Sequence, residues 1–464
     1  MERLKTWWQQ PAGAKEILAI SLPLIASTIS WTLMQFCDRL FLTWSSNGEL
    51  AAVLPSGAVS WTLTSLPMGI GFYCATFVAQ YFGAGQKEKI GAIVWQAIWL
   101  GLLCIPVYLV IGLFGEQIFL AMGHSPELCE LEHAYFLALS FGAGAVVLDA
   151  GISSFFVGQG KTNTVMYVNF FAASLNLLLD YWFIFGGLGV PQMGLWGAGL
   201  ATSIAAWVKV LIFVWLFFHP KNAELGTRSR WKLDIPLMKR FLHFGLPNGL
   251  QFCIEGLAVT FFFIVIPTIS ESASAAASLV FSINLLIIFP VFGLGMGCST
   301  IVGQKIGEQR PDLASRSTRT TLVLGLIYTS IFALLYFATP GVFLFAHQSN
   351  GSEFLEIKDL VILYLKFVAL YCIFDTIQIV FVSAIKGAGD TRFVVIVTII
   401  TALIFVGGGT FGASLFSDPN AKVNWWWASL TGWILILSVV YWLRFRQGKW
   451  KSMSVIERHV EEQI

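Results

Sequence analysis

Long apolar stretches recur along the whole chain and are separated by short polar segments. A helix needs about 20 apolar residues to cross about 30 Å of hydrocarbon, and most of these stretches are long enough. The predicted spans are 17–42, 52–79, 91–113, 132–157, 164–187 and 194–218, then 241–268, 275–304, 320–340, 357–385, 392–415 and 424–445. The period-two alternation of a membrane β-barrel is absent. The pattern therefore predicts an all-α integral membrane protein with twelve transmembrane helices.

Basic residues are concentrated at the two ends of the chain and in alternate connections between the spans. Residues 219–240 alone contain six of them, whereas the opposite connections contain almost only Lys422. Short basic loops resist translocation and stay on the cytoplasmic side. We therefore predict a multi-pass protein of the plasma (cell inner) membrane with both termini cytoplasmic. Its predicted parts are an N-terminus 1–16, an N-lobe 17–218 (six helices), a linker 219–239, a C-lobe 240–445 (six helices) and a C-terminal tail 446–464.

The two halves of the chain share polar, proline and glycine positions. The positions that correspond at an offset of 224 are Leu22, Pro23, Gly69, Thr76, Gln80 and Gly83 with Leu246, Pro247, Gly293, Thr300, Gln304 and Gly307. A further block around Asp149 recurs around Asp375. Six spans per copy is an even number, so both copies enter the membrane in the same direction. We predict two six-helix lobes related by pseudo-two-fold symmetry about the membrane normal, an arrangement suited to alternating access.

The composition excludes a water-soluble protein, and the motifs give no sign of an enzyme. Hydrophobic residues make up 56% of the chain and charged residues only 12%, whereas a soluble domain carries about 25% charged residues. The net charge of +2 gives no reason to expect a nucleic-acid partner. The sequence contains no H-E-x-x-H, Walker A or G-x-S-x-G motif. We therefore expect no enzyme activity and no cofactor, and without a nucleotide site transport must draw on an ion gradient.

Carboxylates inside predicted spans are candidate functional groups, because an Asp at the bilayer centre costs about 2.5–3.5 kcal/mol. In the first half these are Asp38 and Asp180, and Asp180 shares a helix face with Asn176. Thr202 of the following span adds a hydroxyl. Carboxylate, amide and hydroxyl oxygens suit a hard cation or a shared proton. Two alternatives stay open, namely an interfacial pair of Asp38 with Arg39 and ordinary helix packing by the amide and hydroxyl groups.

Two carboxylates of the second half, Glu255 and Asp375, also lie on otherwise apolar predicted helices. A structural glutamate would need a basic partner, and the helix of Glu255 offers none at that depth. The polar neighbours predicted to line a cavity are Gln35 near Asp38, Asn248 and Gln251 near Glu255, and Tyr371 and Gln378 near Asp375. Asp149 is a fifth candidate. For Lys209 and Lys366 we expect pairing within a lobe or snorkelling to the interface.

These residues resemble the multidrug and toxic compound extrusion (MATE) family over nearly the whole chain, residues 17–445. The matching features are the early Leu-Pro, Asp38, Gln80-x-x-Gly83, Asn176 with Asp180, Glu255, and Asp375 followed by Lys386-Gly387. Glu255 and Asp375 look like the second-lobe acidic pair of the NorM-like branch. The first-lobe set of Asp38, Asn176, Asp180 and Thr202 looks like the cation network of the DinF-like branch. The resemblance therefore leaves two locations for the coupling site.

The resemblance implies antiport, in which Na⁺ or H⁺ enters while an organic, often cationic, drug or toxic compound leaves. The implied Na⁺ ligands are Asp38, Asn176, Asp180, Glu255 and Asp375. We expect small organic cations as substrates, membrane lipids as neighbours, no nucleic acid and a monomeric state. One alternative is a lipid or oligosaccharide flippase of the same superfamily, which would favour a basic cavity. Another is a membrane-embedded enzyme, which would need clustered histidines or a nucleophile–base pair.

Overall fold

The computed structural model describes residues 7–45, 47–187, 189–344 and 351–457, and the side chains of all of these except 45, 47–51 and 351–356. Within these residues the chain is nearly all helical, and twelve helices are long and apolar enough to cross a membrane, as predicted. The spanning helices are α1 Ala14–Ser45, α2 Asn47–Gly83, α3 Lys87–Leu113, α4 Pro126–Gly158, α5 Thr162–Phe185, α6 Gly194–Phe217, α7 Ile235–Ile269, α8 Glu271–Gly307, α9 Pro311–Ala338, α10 Gly351–Ala388, α11 Thr391–Ser414 and α12 Pro419–Gln447. Short helices Gly115–Ala121 and Pro340–Leu344 lie between them.

Several helices extend beyond the predicted apolar spans. The largest difference is at α9, which begins at Pro311 although the apolar run predicted a start at 320. Its first turns are amphipathic, with Arg316 and Arg319 exposed on one side. The buried hydroxyl of Thr318 donates to the Ala314 carbonyl one turn earlier, at 2.9 Å. Polar residues satisfied in this way continue a helix past the hydrocarbon, so the hydropathy pattern set this boundary wrongly.

The described residues form two compact units. The N-unit comprises Ala26–Leu250 and Gly307–Gln309 with the described part of Ser454–Ile464, and the C-unit comprises Gln251–Ile306 and Arg310–Met453 with the described part of Met1–Ile25. Both α1 and α7 are thus divided between the units, a few residues after the proline of their Leu-Pro pair. The predicted lobe limits 17–218 and 240–445, and the linker 219–239, stay predictions. Of the predicted termini, residues 1–6 and 458–464 lie outside the described residues.

Each unit is built around one central helix. In the N-unit, α4 packs against α2, α3 and α6, and α5 packs against α6. In the C-unit, α10 packs against α9 and α12, and α11 packs against α12. Three of these contacts correspond between helices six apart in chain order: α4 with α3 matches α10 with α9, α4 with α6 matches α10 with α12, and α5 with α6 matches α11 with α12. This correspondence is what an internal repeat of six helices requires.

Glycines at equivalent helix crossings allow this close packing. A Cβ added at Gly158 of α4 would lie 2.7 Å from the carbonyl oxygen of Ala75 in α2. A Cβ added at Gly387 of α10 would lie 2.7 Å from the carbonyl oxygen of Ser299 in α8. Ala75 and Ser299 are 224 residues apart, which is the offset of the sequence repeat. Small residues let the two backbones approach in the same way in both units.

Substitution of either crossing glycine by alanine should destabilise the protein. Because the obstacle is backbone, Gly158→Ala and Gly387→Ala each force helices apart, at a cost of about 1–3 kcal/mol. Gly432 of α12 is the matched control, because a Cβ there meets nothing within 4 Å. Thermal unfolding in detergent should show lower melting temperatures for the two crossing variants and an unchanged or higher one for Gly432→Ala. Equal melting temperatures for all three variants would contradict the packing argument.

Candidate functional site

Four predicted site residues of the N-unit come together between α1, α5 and α6. Asp38 is 9% exposed, and Asn176 and Asp180 are fully buried. The carboxyl groups of Asp38 and Asp180 lie next to each other. Nδ2 of Asn176 donates to Oγ1 of Thr202 at 3.4 Å. We call these four residues the N-unit cluster.

The N-unit cluster is short of hydrogen-bond donors. Within the described chain, neither oxygen of Asp180 has a hydrogen-bonding partner, and the same holds for Oδ1 of Asp38 and of Asn176. Two ionised carboxylates held together and shielded from water repel each other. The arrangement therefore suits a positive charge between them, either a proton shared by the two carboxyls or a cation. Oxygen donors of these types are the ligands that hard cations prefer.

The neighbouring arginine acts on Asp38 electrostatically but forms no close ion pair with this cluster. Arg39 is exposed, and no ion pair of 4.0 Å or less joins it to Asp38 in the described residues. Gln35, which the sequence placed on the same polar face, is also exposed. Buried Tyr135 of α4 instead lies close to both Asp38 and Asp180. Sequence reasoning missed Tyr135, since one tyrosine on an apolar helix gives no signal of its partners.

A second cluster lies in the C-unit, between α7 and α10. Glu255 and Asp375 lie close enough to repel each other electrostatically. Nε2 of Gln251 donates to Oε1 of Glu255 at 2.9 Å, and Gln378 is buried on α10. Lys386 of α10 lies within electrostatic range of Glu255. The basic partner that α7 does not provide thus comes from α10, and we call Glu255, Asp375 and Lys386 the C-unit cluster.

The other predicted cavity-lining residues are engaged in contacts between helices. Nδ2 of Asn248 donates to the carbonyl oxygen of Gly69 at 2.7 Å. The hydroxyl of Tyr371 accepts a hydrogen bond from Nδ2 of Asn284 at 3.0 Å. Both Asn248 and Tyr371 are buried. These contacts make the two residues part of the helix packing around the carboxylates.

The fifth candidate carboxylate, Asp149, is paired with a lysine. Nζ of Lys209 in α6 lies 2.7 Å from Oδ2 of Asp149 in α4, and the two side chains are only 23% and 14% exposed. The contact accounts for two charged side chains inside predicted spans. Pairing of this kind is one of the two arrangements expected for Lys209. Lys366 of α10 is exposed, which is consistent with snorkelling.

The sequence model of the family described as MatE matches the chain twice, at residues 23–182 and 247–408. The two matches begin 224 residues apart, which is the offset of the internal repeat, and together they cover more than half of the chain. The chain belongs to the multidrug and toxic compound extrusion (MatE) family. This membership confirms the family resemblance drawn from the carboxylate pattern.

Similar proteins span nearly the whole length of this MATE-family chain. The multidrug resistance protein NorM of Aliivibrio fischeri is 26% identical over 440 residues, which cover 92% of this chain and 94% of that protein. The multidrug resistance protein MdtK of Proteus mirabilis is 27% identical over 395 residues, or 83% and 84% of the two chains. A solved outward-facing multidrug resistance MATE family transporter of the MOP superfamily has a TM-score of 0.84 at 20% identity, over 98% of this chain and 99% of its own. These relatives are consistent with the NorM-like branch, and the structural likeness shows a shared two-lobe fold.

Proposed function

We propose that this protein exports small organic, mainly cationic, compounds in exchange for Na⁺ or H⁺. The observation that carries the proposal is the pair of donor-poor, buried carboxyls of Asp38 and Asp180 within a twelve-helix MATE fold. A buried acidic pair attracts cations of either kind, inorganic or organic. The relatives NorM and MdtK are named as multidrug resistance proteins, which supports drugs as the class of substrate.

Coupling follows if ion and drug depend on the same negative charge. When a proton or Na⁺ occupies the N-unit cluster, the charge that attracts a cationic drug is cancelled. The ion then shifts the equilibrium between two conformations through its different affinity for each. Binding would draw α1 toward α5, and Pro23 weakens the backbone hydrogen bonding of α1 at one point along its length. Ion and drug thereby occupy the transporter alternately.

The donor set accommodates either coupling ion. Na⁺ coupling uses both carboxylates in ionised form with oxygens of Asn176 and Thr202. H⁺ coupling needs only one carboxyl of the pair to bind and release a proton. In the described residues no group of three or more His, Cys, Asp or Glu side chains has the arrangement of a metal site. A Na⁺ ion would therefore be held by mixed carboxylate, amide and hydroxyl oxygens.

The C-unit cluster is the second place where coupling ions are proposed to bind. It contains two carboxylates and one lysine, which lies within electrostatic range of Glu255, so the three side chains carry one net negative charge when all are ionised. One further cation neutralises the cluster. Glu255 and Asp375 are thus proposed to work with the N-unit cluster in one exchange cycle that uses the features of both branches.

Two further parts of the proposal are the side of the membrane on which the termini lie and the choice of export over other functions. The basic connections support a cytoplasmic location for both termini in the inner membrane. Transport rather than catalysis is proposed because the relatives are named as multidrug resistance proteins and the buried carboxylates gather in two clusters with amide, hydroxyl and lysine groups. The flippase alternative has less support, since the two clusters contain four carboxylates and a single lysine.

A dye-binding measurement tests the proposed competition. Binding of a cationic fluorescent dye to the purified protein is measured as pH and Na⁺ are varied separately. We expect wild-type affinity to fall as the coupling ion is added, and Asp38→Asn to remove this ion dependence. Arg39→Gln, which changes an exposed neighbouring charge, is the control and should keep it. Full pH and Na⁺ sensitivity in folded Asp38→Asn would exclude the N-unit cluster as a coupling site.

A further inference from the structure

The segment that joins α6 to α7 is folded firmly against the start of α3. Nε1 of Trp95 donates to the carbonyl oxygen of Thr227 at 2.8 Å, and Nε1 of Trp99 donates to that of Trp231 at 3.0 Å. Nε2 of Gln96 donates to the carbonyl oxygen of Lys232 at 3.3 Å. Indole and amide donors one turn apart on α3 thus fix the backbone of a segment that the sequence predicted only as a polar linker.

This segment and α3 border a cavity of about 530 Å³ that is open to the surface and lined by Trp95, Phe218, Arg228 and Trp231. The rings of Trp95 and Phe218 are in contact, with centroids 5.9 Å apart. The guanidinium of Arg228 is positioned by a 2.6 Å hydrogen bond from Nη2 to the Phe218 carbonyl oxygen. Three aromatic rings and one oriented cation therefore form its walls.

Arg228 has spare hydrogen-bonding capacity. Its guanidinium has five N–H donors, and in the described chain only one of the five has a partner. No carboxylate of the described residues lies within 4.0 Å of it. Arg230, two residues later, is by contrast paired with Glu88 at 3.3 Å. The uncompensated charge favours an anionic ligand and disfavours a cationic drug in this cavity.

An apolar surface continues from the cavity along α6. Trp215 and Leu211, one and two turns before Phe218, are 69% and 62% exposed. Tryptophan rings of this kind lie at the level of lipid headgroups, and Leu211 lies deeper within the span. A ligand that fits this surface has an anionic head beside Arg228 and an apolar tail along α6.

We propose that this cavity binds the phosphate headgroup of an anionic phospholipid. Arg228 donates to the phosphate oxygens, the faces of Trp95 and Trp231 pack against the glycerol region, and an acyl chain follows Trp215 and Leu211. Basic pockets at the edge of transmembrane helices bind lipid headgroups by this combination of charge and apolar contact. The site is separate from both carboxylate clusters and involves no transported ion.

Native mass spectrometry of the detergent-purified full chain tests this proposal. Phosphatidylglycerol is titrated as the anionic probe, and phosphatidylcholine as the zwitterionic comparison. We expect Arg228→Gln to weaken phosphatidylglycerol binding about tenfold, as for loss of a charge-assisted hydrogen bond. The matched control Arg230→Gln, which removes an already paired cation, should change it less than about twofold. Binding of phosphatidylcholine should be weak and equal in all three proteins.

Three outcomes would overturn the proposal. The first is equal phosphatidylglycerol binding by wild type and Arg228→Gln. The second is displacement of the lipid by excess inorganic phosphate, which would indicate a site for free phosphate. The third concerns wild type alone and applies even if Arg228→Gln fails to fold. Wild-type preference for phosphatidylglycerol should weaken as salt screens the guanidinium, so a salt-independent preference would exclude Arg228 as its origin.

Discussion

Glu255→Gln and Asp375→Asn are each expected to lower ion-driven export by about 5–150-fold, the range typical of a coupling free energy. Each change removes one of the two negative charges of the C-unit cluster and keeps the shape of the side chain. The proteins should remain folded, because neutralising a buried carboxylate also removes the cost of burying its charge. Loss of Glu255 further removes a negative charge that acts on Lys386, so this variant tests the cluster as a unit.

Drug resistance of cells and export from proteoliposomes measure this expectation, with protein amount checked in the membrane. Lys366→Gln is the matched control, since it changes an exposed charge on α10, the helix that carries Asp375. The control should export normally. Normal export by both carboxylate variants, at normal expression, would remove the C-unit cluster from the mechanism and leave coupling to Asp38 and Asp180.

Lys209→Met should destabilise the N-unit by up to about 3–5 kcal/mol, the cost of removing one partner of a buried ion pair, because the two side chains are only 23% and 14% exposed. Asp149 would keep its charge in an apolar setting, and its Oδ1 already lacks a hydrogen-bonding partner in the described chain. The double variant Lys209→Met with Asp149→Asn removes both charges and should recover most of the lost stability.

Melting temperatures in detergent complete this double-mutant cycle. The single variants should melt well below wild type, and the double variant should melt close to it. An additive double variant, with a loss equal to the sum of the two single losses, would show that the 2.7 Å contact contributes no coupling energy. The same cycle on Arg230 and Glu88, an exposed pair, should give less than about 1 kcal/mol.

The sequence was sufficient to predict the fold because the membrane fixes the length of each apolar helix. Repeat positions such as Gln80 and Gln304 also indicated an internal repeat, and the family model matches the chain twice at the same offset. Helix ends were harder to predict from the sequence. At α9, for example, the helix continues beyond the apolar run through a segment that contains Arg316 and Arg319. The division of α1 and α7 between two units was not predicted, because nothing in a continuous apolar helix marks where its packing partners change.

The candidate site was predictable where residues share one helix face and unpredictable where contacts join different helices. Asn176 and Asp180 lie four residues apart, and their proximity follows from helical geometry. The proximity of Tyr135 to Asp38, and of Lys386 to Glu255, depends on how separate helices pack. One sequence contains no direct record of such contacts, so these partners became visible only in the folded chain.

Counterflow in proteoliposomes, with Na⁺ and pH gradients imposed one at a time, tests most directly whether this chain is an ion-coupled exporter. At least one gradient should drive a cationic dye against its own concentration difference. Substrate flux in the opposite direction should in turn move the coupling ion. Asp38→Asn should uncouple the two fluxes in protein that still folds. Dye movement that follows only its own gradient, unchanged by either ion gradient in the wild-type protein, would contradict the account.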